Sequence, residues 1–129
     1  IGVGEGIGES LVIKSEALSA LGKYEEAAEN AREAVKLLEE FVSGERWQAH
    51  YALAKALQGL NEKDAEIEIS LRRAVEILDS IRAQLVGDEK RFIQATQSLN
   101  APAKDLRDFL IKSDRKTEAL EIGRSWQLS

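Results

Sequence analysis

The stretch that decides the fold is ALGKYEEA, residues 20–27, which is followed by Ala31 and Ala34. It places Gly22 between two patterns of apolar residues that recur every three or four positions. Such spacing marks one face of an α-helix, and a glycine just after a helix is typical of its end. The stretch therefore predicts a helix–turn–helix, with helices over about 9–21 and 24–42.

The same organisation continues along the rest of the chain. Further breaks fall at residues 43–44, 61–64, 86–88 and 113–114, and Asp88 and Asp114 in the last two are candidates to cap the helix that follows. Helices are predicted over about 45–60, 65–85, 89–99 and from about 115 onward. Asn100-Ala101-Pro102 either interrupts a helix or starts a new one, because proline is tolerated in a first helical turn. No segment alternates with the period of two of a strand, so we predict an all-α chain of about six helices.

Composition and charge exclude several classes of protein. The 129 residues are 43% hydrophobic and 32% charged, with a net charge of −5. Residues 1–42 hold nine acidic and four basic residues (net −5), whereas residues 89–129 hold six and eight (net +2). An acidic chain is a poor general ligand of nucleic acid, and no apolar run approaches the roughly 20 residues of a membrane span. We expect neither nucleic acid nor a membrane as partner.

The ends and the cysteine content suggest where the chain works. It has no cysteine and no methionine, and no signal peptide is recognisable. Disulfides and thiolate metal sites are therefore excluded, and a cytoplasmic location is our expectation. Because the chain contains no methionine, it was either processed or cut from a longer protein, and of these two alternatives we expect a fragment of a longer protein.

Motifs for catalysis or cofactor binding are not found. The glycines at positions 2, 4, 6 and 8 break the spacing of a dinucleotide loop and lack the Lys-Ser or Lys-Thr of a P-loop. The single histidine, His50, cannot form a multi-histidine metal site. Neighbouring glutamates such as Glu25 and Glu26 diverge on a helix. We therefore predict no catalytic, cofactor-binding or metal-binding residues, and no enzyme.

The decisive stretch resembles the middle of a tetratricopeptide repeat (TPR). Gly22, Tyr24, Ala27, Ala31 and Ala34 match the glycine, the aromatic and the three small or aromatic positions of that family. In the second helix pair, Leu53 and Ala54 resemble the Leu-Gly pair of the first helix of a repeat. The third pair keeps only TEAL, residues 117–120. The resemblance implies antiparallel helix pairs that stack as a short right-handed TPR-like superhelix.

The resemblance also implies a domain organisation. It implies one domain over residues 1–129, with about three pairs over about 8–42, 45–86 and 88–129. The chain nevertheless departs from the family pattern. Lys14 stands where a leucine is expected. The turns at Gly22, Asn61 and Asp114 are 39 and 53 residues apart rather than the family's 34, which predicts longer later helices.

In the TPR family the first helix of each pair lines a concave groove that binds a peptide or a partner segment. Carried over by position, this resemblance implies candidate groove residues on three helices: Glu9, Val12, Glu16, Ser19, Gln48, Tyr51, Lys55, Gln58, Lys104 and Asp108. Ile111 is a further candidate. The implied function is a protein-interaction scaffold, and the alternative is a self-associating helical bundle with a structural or regulatory role. Trp47 and Trp126 are either binding anchors or core residues, with core packing expected for at least one.

Overall fold

The computed structural model describes residues 3–40, 46–61 and 64–128, and all regular secondary structure in these ranges is α-helical. The helices of these ranges are α1 Val3–Ala20, α2 Tyr24–Glu39, α3 Arg46–Leu60, α4 Asp64–Ala83, α5 Glu89–Ser98, α6 Ala101–Lys112 and α7 Lys116–Ser125. The all-α prediction is confirmed. The chain forms two compact units, Ile1–Ala74 and Val75–Ser129, whose boundary falls within α4.

The first unit is built on short side chains. Helix α1 packs against α2 and α3, and α2 packs against α3. Alanine dominates the buried faces of α2 and α3, because a short side chain lets helix axes approach closely. The fully or almost fully buried alanines are Ala27, Ala28, Ala31, Ala34, Ala49, Ala52, Ala54 and Ala56. Each of the three alanines that carried the TPR resemblance is therefore a core residue.

Three of the predicted helix breaks are confirmed as left-handed helix ends, whereas the break predicted at residues 43–44 lies outside the described residues. Gly22 has φ 77°, Asn61 φ 54° and Asp114 φ 57°. At the first of these, the backbone N–H of Lys23 donates to the carbonyl of Leu18 at 2.9 Å, which satisfies a carbonyl that the last turn leaves unpaired. Glycine reaches this conformation without strain, which explains its place in the decisive stretch.

Two predicted caps have different outcomes. The side chain of Asp88 accepts a hydrogen bond from the backbone N–H of Arg91 at 3.2 Å and caps α5, as expected. Asp114 was expected to cap the last helix, and this was wrong. Arg115 is the residue at that position and makes no side-chain cap. Asp114 instead occupies the left-handed position that ends α6, and a residue cannot serve both ends of one turn.

Other boundaries shift for identifiable reasons. Helix α1 begins at Val3 rather than at about Glu9. Gly8 lies buried within it, and a Cβ there would come within 2.7 Å of Leu38 in α2. The glycine permits a close approach of two helices, which outweighs its poor helix propensity. The predicted end of α2 at Val42 lies outside the described residues.

The second unit contains the end of α4 and three further helices. Pro102 lies in the first turn of α6, so residues 100–102 start a new helix, one of the two alternatives that the sequence left open. The segment 88–129 thus holds three helices rather than one pair. Helix α6 packs against α7. The buried side chains of this unit include Leu78, Thr96, Pro102, Ala103, Leu106, Leu110, Ala119 and Trp126.

Candidate functional site

The predicted groove residues of the first unit lie on two helices that are neighbours. Helices α1 and α3 carry eight of the ten candidates and pack against each other. The structure thus brings the first two predicted groove helices together. Within this pair of helices the candidates differ strongly in exposure, and exposure decides which of them could meet a partner.

An aromatic and cationic row runs along α3. The rings of Trp47 and Tyr51 lie 6.4 Å apart between centroids, with their planes tilted by 32°. The ammonium of Lys55 lies over the Tyr51 ring, 5.2 Å from its centroid. These residues are spaced by four and so share one side of the helix. The two aromatic residues are partly exposed and Lys55 is exposed. We call Trp47, Tyr51 and Lys55 the α3 row.

The remaining candidates of the first unit flank this row or leave the surface. Gln48 and Glu16 are exposed, and Glu9, Ser19 and Gln58 are partly exposed. Val12 is only 2% exposed and belongs to the core. Its assignment to a binding surface is therefore wrong, because a buried side chain cannot contact a partner. The position carried over from the TPR resemblance places Val12 on α1, but it does not predict that the Val12 side chain is turned into the core.

The third predicted set lies in the second unit. Lys104, Asp108 and Ile111 are exposed on α6. Asp108 accepts from the Nε of Arg107 at 3.2 Å. These residues remain candidates, and they belong to the unit Val75–Ser129.

A charged cluster joins three helices of the first unit. His50 on α3 and Glu39 on α2 form a hydrogen bond of 2.6 Å between Nε2 and Oε1. The other carboxylate oxygen of Glu39 faces Arg73 on α4 at 3.4 Å and Arg46 at 3.5 Å. The His50 side chain is only 12% exposed. No single sequence motif marks this cluster, because its members come from three helices.

The cluster shifts the pKa values of both partners of the short hydrogen bond. Burial lowers the pKa of His50 below 6.5, although the hydrogen bond and the charge of Glu39 oppose this, and the charges of Arg73 and Arg46 add to it. Burial raises the pKa of Glu39, but the hydrogen bond from His50 and the charge of Arg73 outweigh it, so the net pKa lies below 4.5. Near neutral pH the pair is thus an ionised carboxylate and a neutral imidazole that donates from Nε2.

Two ion pairs relate α2 to α4 with one offset. Arg32 meets Glu66 at 2.5 Å, and Glu39 meets Arg73 at 3.4 Å. Both pairs join residues 34 positions apart. Because both contacts advance by the same step along the two helices, α2 and the first part of α4 run parallel to each other. This offset of 34 residues is shorter than the distance of 39 residues between the turns at Gly22 and Asn61, so the turn positions did not indicate it.

The second unit is organised around a buried arginine. The guanidinium of Arg82 lies over the Trp126 ring at 3.6 Å from its centroid and 5.4 Å from that of Phe92. It donates to Thr96 Oγ1 and to the carbonyl of Ser125, each at 3.1 Å. Arg82 is 6% and Trp126 1% exposed. The expectation that at least one tryptophan packs in the core is confirmed, and sequence reasoning missed its arginine partner.

A groove crosses the surface of α6 and α7. Its volume is about 660 Å³, within the range of ligand and peptide pockets. Apolar atoms and the small Gly123 form much of its lining, and three cationic side chains complete it. The lining residues are Arg107, Ile111, Lys116, Ala119, Leu120, Gly123, Arg124, Gln127 and Leu128. Of the predicted candidates only Ile111 belongs to it.

The described ranges contain neither a candidate metal cluster nor a candidate membrane-spanning helix. No group of three or more histidine, aspartate or glutamate side chains there is placed to hold a metal ion. None of the helices in the same ranges combines the length and apolar character needed to cross a membrane.

Comparison with known proteins adds no relative. No protein-family model, no curated protein and no solved structure matches the chain.

Proposed function

We propose that the protein is a TPR-like protein-interaction scaffold that binds a peptide or a partner segment on the face formed by α1 and α3. The α3 row carries this proposal. Two adjacent aromatic rings and a lysine remain accessible on a helix whose opposite side is buried. Partly exposed aromatic residues beside a cation are typical anchors of protein interfaces, because they offer large contact area and a polar handle.

The packing of α1, α2 and α3 and the two ion pairs between α2 and α4 support the TPR-like part of the proposal. The offset of 34 residues between α2 and α4 equals the length of one TPR. The adjacency of α1 and α3 corresponds to the first helices of two successive repeats. In such a stack the first helices line the concave side, on which these proteins bind their ligands.

The chemistry of the face indicates what kind of segment it would bind. Tyr51 and Trp47 would receive an apolar or aromatic side chain, and Lys55 would pair with an acidic group near it. Gln48 supplies an exposed hydrogen-bonding side chain beside the row. Glu16 on α1 is exposed and disfavours a ligand that is acidic throughout. We therefore expect a segment with one apolar anchor and a local acidic residue.

A peptide selection tests this function. A displayed library of short peptides is selected against the whole chain, and the binders are measured by NMR with ¹⁵N-labelled protein. The two tryptophans give two indole N–H signals, and we expect binding to move the Trp47 signal and leave that of the buried Trp126. The Tyr51→Ala, Lys55→Glu variant should lose at least tenfold in affinity.

Lys36→Glu is the matched control, since it makes the same charge change on the exposed side of α2. It should retain full affinity. Binders that move only signals outside α1 and α3, or that bind the double variant as tightly, would refute the proposed face.

A further inference from the structure

The groove between α6 and α7 is an apolar surface that the folded chain leaves open. Ile111 is 49% and Leu120 66% exposed, although both are large hydrophobic residues. They lie with Leu128 along one groove of about 660 Å³. Contiguous exposed apolar surface of this kind is typical of an interaction site.

The charged side chains that line the groove have one sign, although Arg107 is paired with Asp108 beside it. Arg107, Lys116 and Arg124 line it, and no acidic residue does. Neither Lys116 nor Arg124 has an ion-pair partner in the part of the chain that the structure describes. An occupant with an apolar stripe and adjacent carboxylates would therefore complement both the floor and the edge of the groove.

The outward side of α1 has this character. Val3 is 82%, Ile7 48% and Ile13 68% exposed, and at 3.6 residues per turn they fall on one side of the helix. By the same spacing Glu5, Glu9 and Glu16 follow one edge of this side. Helix α1 contains these three acidic residues and one base, a net charge of −2. The base, Lys14, lies between Val3 and Ile7 on the outward side, so the acidic charge is confined to the glutamate edge.

We infer that the α6–α7 groove of one copy of the chain binds the outward side of α1 of a second copy. The apolar residues of α1 lie on the groove floor, and its glutamates face Lys116 and Arg124. This is helix-in-groove recognition with complementary charge. Because the two surfaces are different parts of the chain, the contact is heterologous, and it can join copies into a closed ring or into a longer assembly.

The size of the surfaces sets the expected strength. Helices α6 and α7 have 12 and 10 residues, which at 1.5 Å per residue gives a groove roughly 15–18 Å long. It covers about three turns of α1, which is less than a stable interface needs. We therefore expect association at a chain concentration on the order of 0.1 mM, weakened by salt because ionic contacts contribute.

Two variants of the whole chain block one surface each. Gly123→Leu fills the groove floor, and it is compatible with the fold because a Cβ at Gly123 meets nothing closer than Arg107 Cδ at 3.9 Å. Ile7→Asp combined with Ile13→Asp spoils the outward side of α1 at two exposed positions. Circular dichroism verifies that each variant keeps its helices. If Gly123→Leu does not fold, Lys116→Glu with Arg124→Glu replaces it.

Sedimentation equilibrium of the separate and mixed variants decides the proposal. We expect the wild-type chain to self-associate as its concentration rises and each variant alone to stay monomeric. An equimolar mixture should give a dimer, because one partner keeps its groove and the other its α1. A wild-type chain that is monomeric up to about 1 mM would leave the groove to a helix of another protein and overturn the proposal. So would association that survives in the groove-blocked variant, or a mixture that stays monomeric.

Discussion

The two compact units share a turn chemistry but differ in what fills their interiors. In Ile1–Ala74 the buried faces of α2 and α3 are mostly alanine, and charged side chains pair at the margins. In Val75–Ser129 one buried arginine stacks on one buried tryptophan and bonds to two helices. Both units end helices with left-handed residues, at Gly22 in the first and at Asp114 in the second.

This difference between the two interiors shows which structural features can be recognised from a single sequence. A repeated small residue at helical spacing is visible as a pattern, because each position makes the same demand. A single polar and aromatic cluster makes a different demand at each position, so its members look like ordinary surface residues. The stability of the second unit should accordingly depend on fewer residues than that of the first.

The largest expected effect tests that dependence. Trp126→Ala should lower the free energy of unfolding by about 4 kcal/mol, since it removes a fully buried ring and the surface on which Arg82 lies. Trp47→Ala, at a partly exposed position in the first unit, should cost about 1 kcal/mol or less. Urea unfolding followed by circular dichroism gives both values. Equal losses would contradict the contrast between the units.

The first unit has its own sensitive contact, at Gly59. A Cβ there would overlap the ring of Tyr24, the aromatic residue of the decisive stretch. Gly59→Ala should therefore destabilise the chain by roughly 2 kcal/mol, although alanine favours a helix by about 1 kcal/mol over glycine.

The sign should reverse when the ring is absent. In a Tyr24→Ala background, Gly59→Ala should stabilise by about 1 kcal/mol, because only helix propensity remains. The four proteins of this cycle are compared by thermal and urea unfolding. A substitution that destabilises equally in both backgrounds would show that the close approach of ring and backbone is not its cause.

The sequence predicted the helices and turns better than their contacts. Spacing fixed the apolar faces, and Gly22, Asn61 and Asp114 marked the turns because their positions favour left-handed backbone. The start of α1 was misplaced because glycine argues against a helix. The glycine is retained in the helix because Gly8 lies close to Leu38, thirty positions away in the chain. No local sequence pattern indicates such a contact.

The candidate site was predictable in the same uneven way. Tyr51 and Lys55 share a side of α3 by their spacing, so their proximity follows from helix geometry. Val12 was misplaced because register alone does not say which neighbour covers a side chain. The cluster of Glu39, His50 and Arg73 was missed, although a signal existed. Opposite charges 34 residues apart occur there and at the Arg32–Glu66 pair.

The Glu39–His50 pair predicts a pH dependence of the first unit. Because burial lowers the pKa of His50 below 6.5, the unfolded chain takes up the proton first. Stability is therefore complete above 6.5 and is lost as the pH falls from there toward the folded pKa. Glu39, whose pKa lies below 4.5, contributes stability that is lost only as the pH falls below 4.5 through its folded value.

The single histidine makes this measurable. Its ring-proton NMR signal should titrate with a midpoint below 6.5 in the folded chain. His50→Gln keeps a donor for Glu39 without a titrating group, so its loss of stability between about pH 7.5 and 5.5 should be smaller than that of the wild type. A midpoint at or above 6.5 would mean that Glu39 outweighs burial.

The smallest expected effect concerns what maintains the offset between α2 and α4. Glu66→Gln removes the charge that meets Arg32, but the two side chains are 32% and 41% exposed. Solvent screens such a pair, so we expect a loss of at most about 0.5 kcal/mol that disappears at high salt. Glu33→Gln, at an exposed position of α2, is the control for changing a surface charge.

A loss of stability well above that of the control would make the ion pair itself the determinant of the 34-residue offset. A loss equal to it would assign the offset to the buried faces of the two helices, where Leu38 on α2 and Leu71 on α4 are almost fully covered, and where a shift by one residue would expose an apolar side chain.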